Sequence, residues 1–178
     1  PQVGTYVTKI DPQLIEEAAF MRFILEKEVL KLACVSFPEG HLQRLKQNLT
    51  FQDMLRNTQG KEREFHKLDN EFHSIVFHGL KKEHIWYSIH RLSTHYNRVR
   101  LLSELKYGFD KAIDEHHRIV EIIENKLVDQ VEQIIYNHIL EPKKNWNQLF
   151  EKSSPFYEYV DHKSRLLPKE ENLLLTYS

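Results

Sequence analysis

Four residues of this chain have the types and spacing to hold a metal: Asp69, His73, His116 and His138. On a helix, residues three and four positions apart share a face. Asp69 has Phe65 and Phe72 at those offsets and Val76 a turn further on, so a carboxylate stands inside an apolar stripe. Leaving it there uncompensated costs roughly several kcal/mol. His73 follows one turn later, so the Asp-x-x-x-His spacing aims two metal-competent groups the same way, as the two histidines of a zincin helix are aimed. His116 is flanked by Ala112, Ile113, Ile119 and Val120, and His138 by Ile134, Ile135 and, a turn back, Val131. One carboxylate with three imidazoles suits a divalent transition metal, zinc first, with nickel, manganese or iron also compatible. Taken singly, a buried histidine is more often a hydrogen-bonded core residue than a ligand. Asp69 and His73 could be a simple ion pair, worth about a few tenths of a kcal/mol if exposed. The joint pattern is harder to dismiss, because one cation removes every burial penalty at once, and from spacing alone both readings stand.

These residues need helices to position them, and the chain supplies helical patterns. Five glycines and six prolines separate long stretches of 3.6-residue periodicity. A first helix is expected from about Pro12 to Val35, with Asp11 as N-cap and Pro12 at the first helical position. Its apolar stripe would take in Leu14, Ala18, Met21, Leu25, Val29 and Leu32. Further helices are expected over about His41–Asn57, Lys61–His78, Glu83–Leu105, Phe109–Glu124 and Val128–Leu140, the last perturbed by Pro142 and resuming through Trp146–Phe150. The fold expected is therefore all-α. Val3, Thr5 and Val7 alternate with Gly4 and Tyr6 and read as a short strand. The resulting division is a leading segment 1–10, a helical bundle 11–152, and a C-terminal extension 153–178 that Pro155 and Pro168 cut into short pieces.

Composition excludes several classes. With 29% charged and 40% apolar residues the chain is globular rather than disordered. A formal net charge of −1 without a basic block is not the footprint that duplex DNA demands. Cys34 is the only cysteine, so no intrachain disulfide can form and a reducing, cytoplasmic compartment is expected. No apolar run is long enough to span a bilayer, so no membrane partner is expected.

The same residues carry a family resemblance. Asp69-Asn70-Glu71-Phe72-His73, Glu115-His116-His117-Arg118-Ile119 and His138-Ile139 resemble, in order and interval, the D-x-x-F-H, E-H-x-x-I and H-[LI] signatures of the FCD domain. That is the ligand-binding domain of the FadR subfamily of GntR-type bacterial transcription regulators. Arg22-Phe23-Ile24-Leu25-Glu26 is similar to the family's R-x-x-L-E, and Val3–Val7 resembles the last wing strand of a winged helix-turn-helix. The resemblance covers about residues 1–152. It implies an antiparallel bundle of six or seven helices in a protein that forms homodimers. It also implies a metal on Asp69, His73, His116 and His138, and a pocket for a small carboxylate effector lined by Arg22. Arg22 has a competing reading as the partner of Glu26 one turn on. Asn97, Arg98 and Arg100 are weaker pocket candidates that a solvated face explains equally well, as are His90 and His95. Operator DNA would be bound only by an N-terminal domain outside this sequence, which makes the chain a sensor.

The chain departs from the family pattern at Lys81-Lys82-Glu83, where an asparagine is common, and at Leu127, where an aspartate is common. Neither touches an expected ligand. Two other classes compete. An all-helical metallohydrolase fits the ligand set, but the chain has no His-Asp dipeptide and no Glu-x-x-His, and only Glu115 lies near as a base. A metal-free interaction bundle would satisfy the histidines within the core.

Overall fold

A computed structural model of the chain describes residues 8–163. The strand expected at Val3–Val7 lies outside them, as does most of the C-terminal extension. Eight helical segments follow one another: α1 (Pro12–Val35), α2 (Glu39–Asp53), α3 (Glu62–Gly79), α4 (Glu83–Leu92), α5 (Thr94–Tyr107), α6 (Asp110–Glu124), α7 (Val131–Ile135) and α8 (Lys143–Trp146). The fold is all-α, and among the described residues the only β pairing is one isolated bridge, Ile10 with Val160. Among the described residues, no helix is long and apolar enough to cross a membrane.

α1 begins as its sequence dictates. Pro12 occupies the first turn, where its missing N–H costs nothing, and the Asp11 carboxylate accepts from the Gln13 N–H at 2.9 Å. The helix then runs through the middle of the bundle, packed against α3, α4, α5, α6 and α7. Because neighbours surround it, burial follows a broad arc through Ile15, Ala18, Ala19, Arg22, Phe23, Glu26, Val29, Leu30 and Ala33. This corrects the expected stripe: Leu14 is 40% and Leu32 49% exposed, while Arg22 and Glu26 lie inside. A hydropathy pattern places charged residues outside, and here they are inside as a compensated pair.

Three other boundaries differ from the periodicity. α2 stops at Asp53, and the chain turns through Asn57, whose φ of 56° is one that Asn tolerates. The single helix expected over Glu83–Leu105 is broken at Ser93, where φ −90° and ψ 20° separate α4 from α5. The last long helix opens with a 3-10 turn at Val128–Gln130 and, after α7, widens into a π turn at Tyr136–Leu140. Pro142 explains the widening. Its ring crowds the carbonyl four residues back, at His138, and the Glu141 N–H reaches the Tyr136 carbonyl instead, at 3.1 Å.

The residues just before α1 are clasped from two sides. Ile10 donates to the Tyr159 carbonyl at 2.7 Å and accepts from the Asp161 N–H at 2.8 Å, which places Val160 in the core. On the other side the Asp11 N–H donates to His95 Nδ1 at 2.9 Å, and Arg98 donates to the Thr8 carbonyl at 2.6 Å. Asp11→Ala is expected to lower stability by about 1 kcal/mol through the lost cap. In urea unfolding this reads as a lower midpoint with an unchanged slope, and an unaltered midpoint would show that the cap contributes nothing.

Candidate metal centre

α3, α6 and the π turn bring Asp69, His73, His116 and His138 together, with one ligand atom of each lying within 4.8 Å of every other. Asp69 and His116 are fully buried, and His73 and His138 nearly so. His116 Nε2 is 3.5 Å from Asp69 Oδ1, and His73 Nε2 is 3.9 Å from the same oxygen. The Nε2 atoms of His73 and His138 are 3.1 Å apart. The His116 ring stacks on Phe72 at 4.2 Å between centroids, which fixes its plane.

The outward nitrogens decide which face of each ring carries the proton. His73 Nδ1 lies 2.8 Å from Glu26 Oε2, and His138 Nδ1 lies 2.8 Å from Glu115 Oε2. Both partners are carboxylates, so both Nδ1 atoms donate. His116 Nδ1 meets Gln52 Oε1 at 2.8 Å, and the direction of that bond is set from further out. The Leu68 carbonyl can only accept, so Asn48 Nδ2 donates to it at 3.1 Å. Asn48 Oδ1 then accepts from Gln52 Nε2 at 2.6 Å, which leaves Gln52 Oε1 to accept from His116. With the proton on Nδ1, each ring turns an Nε2 lone pair inward.

Three lone pairs and a carboxylate therefore converge with no donor of their own to separate them. His116 Nε2 and both Asp69 oxygens lack a hydrogen-bond partner, although Arg100 Nη2 stands 2.6 Å from Asp69 Oδ1 as an ion pair. Burial would push the Asp69 carboxyl up, but the Arg100 guanidinium, 2.6 Å away, holds it well below the usual carboxylate range. Burial pushes His116 well below the ordinary histidine value, with His138 adding to the effect, and burial also lowers His73 against the pull of Glu26. Glu26 would be raised by burial, yet Arg22 and His73 keep it ionised. Neutral imidazoles and an ionised carboxylate are the protonation states a divalent cation requires. The unpartnered atoms are those it would satisfy, so the residues fit the ion.

The remaining candidates fall in different places. Arg22 is buried, pairs with Glu26 at 2.5 Å and lies under the Tyr96 ring at 4.9 Å, so it braces the residue that orients His73. It is not among the residues lining the adjoining cavity of about 260 Å³. Arg100 is, together with Tyr96, Glu104, Glu115, His138 and Trp146. Arg100, a weaker pocket candidate that a solvated face explained equally well, is thus the arginine between Asp69 and the cavity. Asn97 and Arg98 line a separate shallow groove with His66, His90 and Arg91, which the structure does not join to the ligand cluster. His95 caps the linker, and His117, adjacent to His116, faces Asp53 at 2.9 Å on the surface. Sequence reasoning missed Gln52, Asn48 and the orienting role of Glu26. Their one local signal is polar side chains at helical spacing, which an exposed face produces equally well. Glu115, weighed as a general base, is engaged by His138.

A model of the FCD domain family matches residues 17–141. The HTH-type transcriptional repressor RspR of Escherichia coli K12 is 25% identical over 163 residues, covering 88% of this chain and 69% of that protein. An uncharacterized HTH-type transcriptional regulator, YdfH of Shigella flexneri, matches to the same extent. The match takes in α1 through the π turn and all four cluster residues, and so the chain belongs to the FCD domain family, a regulatory domain of GntR-type transcription regulators and not an enzyme.

Proposed function

We propose that this chain is the effector-sensing and dimerisation domain of a FadR-type regulator. In this reading Asp69, His73, His116 and His138 hold one divalent transition metal, zinc first. A small carboxylate metabolite bound beside it modulates DNA binding by a winged-helix domain outside this sequence. The observation that carries the reading is the 3.1 Å approach of the inward Nε2 atoms of His73 and His138 beside the buried carboxylate of Asp69, one oxygen of which is ion-paired with Arg100. Two acceptors at that distance repel, and a shared cation turns the repulsion into ligation. Bound there, the ion supplies a fixed positive charge that favours an anionic ligand.

The chain's own residues supply the rest. Glu26, Gln52 and Glu115 hold the imidazoles in the ligating tautomer. Arg100 offers the cavity a guanidinium, the group best shaped to clamp a carboxylate. Homodimer formation is supported by apolar side chains left exposed on two neighbouring helices, Phe20 and Ile24 on α1 and Tyr87 and Leu92 on α4. The relatives named as transcriptional regulators support the link to DNA.

Elemental analysis of protein purified without an affinity tag is expected to find close to one equivalent of a transition metal. Asp69→Ala and His138→Ala are expected to lose it and to melt at lower temperature, since a ligand of the folded state stabilises by mass action. Less than about a tenth of an equivalent, with no uptake on soaking, would overturn the metal reading.

The depressed values of His73 and His116 give the chelator-treated protein a defined pH response. Below about 6.5 the unfolded chain takes up protons on these histidines that the folded chain refuses. Stability should therefore fall between pH 7.5 and pH 5.5, where the depressed carboxyls Glu26 and Asp69 are still ionised and do not contribute. A melting temperature that holds or rises over that interval contradicts the burial of neutral imidazoles.

The chain by itself is expected to leave no specific footprint on operator DNA, because reading bases needs a recognition helix in the major groove. A footprint from this chain would move the DNA-binding function into the bundle.

A further inference from the structure

Away from the cluster, α3, α4 and α5 meet along an open groove of about 440 Å³. Its sides are His66 and Asn70 from α3, His90 and Arg91 from α4, and Asn97 and Arg98 from α5. No acid lines it. That is a local departure in a chain with 26 acidic residues against 25 lysines and arginines. The cavity beside the cluster carries Glu104, Asp110 and Glu115, and the groove between α2 and α6 carries Asp53, Glu121 and Glu124. The cations here are also uncommitted. Arg22, Arg56, Arg100 and Arg118 are each ion-paired, whereas among the described residues Arg91 and Arg98 pair with no carboxylate. Arg98 makes one hydrogen bond, from Nη1 to the Thr8 carbonyl at 2.6 Å. The Arg91 guanidinium, the His90 ring nitrogens and the Asn97 amide make none among those residues. His66 is held in place by Glu104, 3.1 Å from its Nδ1, and that acid is shared with Arg100 and stands outside the lining.

We propose that this groove binds the phosphate group of a small phosphomonoester, a second ligand whose site shares no residue with the metal centre. A phosphomonoester carries close to two negative charges at neutral pH and three strong acceptor oxygens. Two guanidiniums supply the opposing charge in a geometry that fits such oxygens, and the Asn97 amide and the His90 ring add neutral donors. A carboxylate, with one charge and two oxygens, would leave one of the two guanidiniums unmatched. A nucleic-acid duplex is the poorer fit for the opposite reason. It presents a charge about every 1.7 Å along its axis, and this chain, with a net charge of −1, offers two arginines in one indentation and not a basic track. The position of the site gives it a consequence. Arg98 also holds the Thr8 carbonyl, so a phosphate on its remaining N–H groups sits beside the segment that leads into α1. Two residues further along α5, Arg100 pairs with Asp69. The proposed ligand therefore rests on the helix that meets both.

Calorimetry on the whole chain, in phosphate-free buffer at fixed chloride, tests this with inorganic phosphate, glycerol phosphate and glycerol as probes. Both phosphates are expected to bind with a Kd below about 1 mM, and glycerol not to bind. Arg91→Gln removes a guanidinium that has no other partner among the described residues, so the bundle should melt as before while affinity for both phosphates falls at least about tenfold, the scale of one hydrogen bond to a charged group. Arg98→Gln should weaken both as well, but it also gives up the Thr8 contact, so the Arg91 variant decides. Arg44→Gln removes an exposed, unpaired arginine on α2 outside the groove and should leave both affinities unchanged. Absence of saturable binding by either phosphate overturns the proposal. So does binding that Arg91→Gln leaves intact, since the phosphate then sits elsewhere, as on a bound metal. A short DNA duplex is the last probe: binding that Arg91→Gln weakens, with no binding of the small phosphates, assigns the groove to nucleic acid and overturns the small-ligand proposal.

Discussion

A buried carboxylate facing three unprotonated imidazole nitrogens is the constraint on which the rest of the structure depends. Asp69 is fully buried, and Arg100 alone, an ion pair at 2.6 Å on one oxygen, does not meet its hydrogen-bonding capacity. An isolated ion in such surroundings costs several kcal/mol in rough terms, far more than a surface pair returns. The fold answers by surrounding the cluster with groups whose charges and hydrogen bonds have one consistent direction. Each inward lone pair is the consequence of an outward proton, and each outward proton has a named acceptor.

That outer frame draws on most of the bundle. Glu26 comes from α1, Gln52 and Asn48 from α2, Arg100 from α5 and Glu115 from α6. The chain from the Leu68 carbonyl through Asn48 and Gln52 to His116 is notable because a backbone group, which cannot reverse its role, sets the polarity of every bond after it. Networks of this kind tolerate partial loss badly, since one missing member strands the others in a medium of low dielectric. The centre and the packing of α1 against its neighbours are therefore one structural problem. Arg22 illustrates this: its charge is spent on Glu26, and Glu26 is spent on His73.

α5 ties the centre to the segment that precedes the bundle. Its first turns carry His95 and Arg98, which hold the backbone of Asp11 and Thr8, and its next turns carry Arg100 and Glu104, which face the cluster and the cavity. One helix thus touches both the His/Asp cluster and the segment that precedes α1. The π turn serves a related purpose, since Pro142 forces it and His138 sits within it. Widened turns of this kind recur at functional sites, where they re-aim a side chain that an ideal helix would point elsewhere.

Periodicity, capping residues and punctuation were enough to set the all-α class and the start and end of α1, and they marked the four clustered residues as misplaced in a core, with the family signatures tying them together. The reason is that these features are local: a helix makes neighbours of residues three and four apart, so an acid or imidazole on an apolar stripe is visible without knowing the partner. What only the tertiary structure decided was who compensates them. His116 meets Gln52 across 64 positions, and Asp69 meets Arg100 from a different helix, contacts that exist only once α1, α2 and α5 close around α3 and α6. Buried charges such as Arg22, Glu26 and Arg100 read as surface in any hydropathy pattern, because the sequence shows the cost of burying a charge and not the opposite charge that removes it. The four residues were legible as a candidate cluster; the partners that orient their rings were settled by packing.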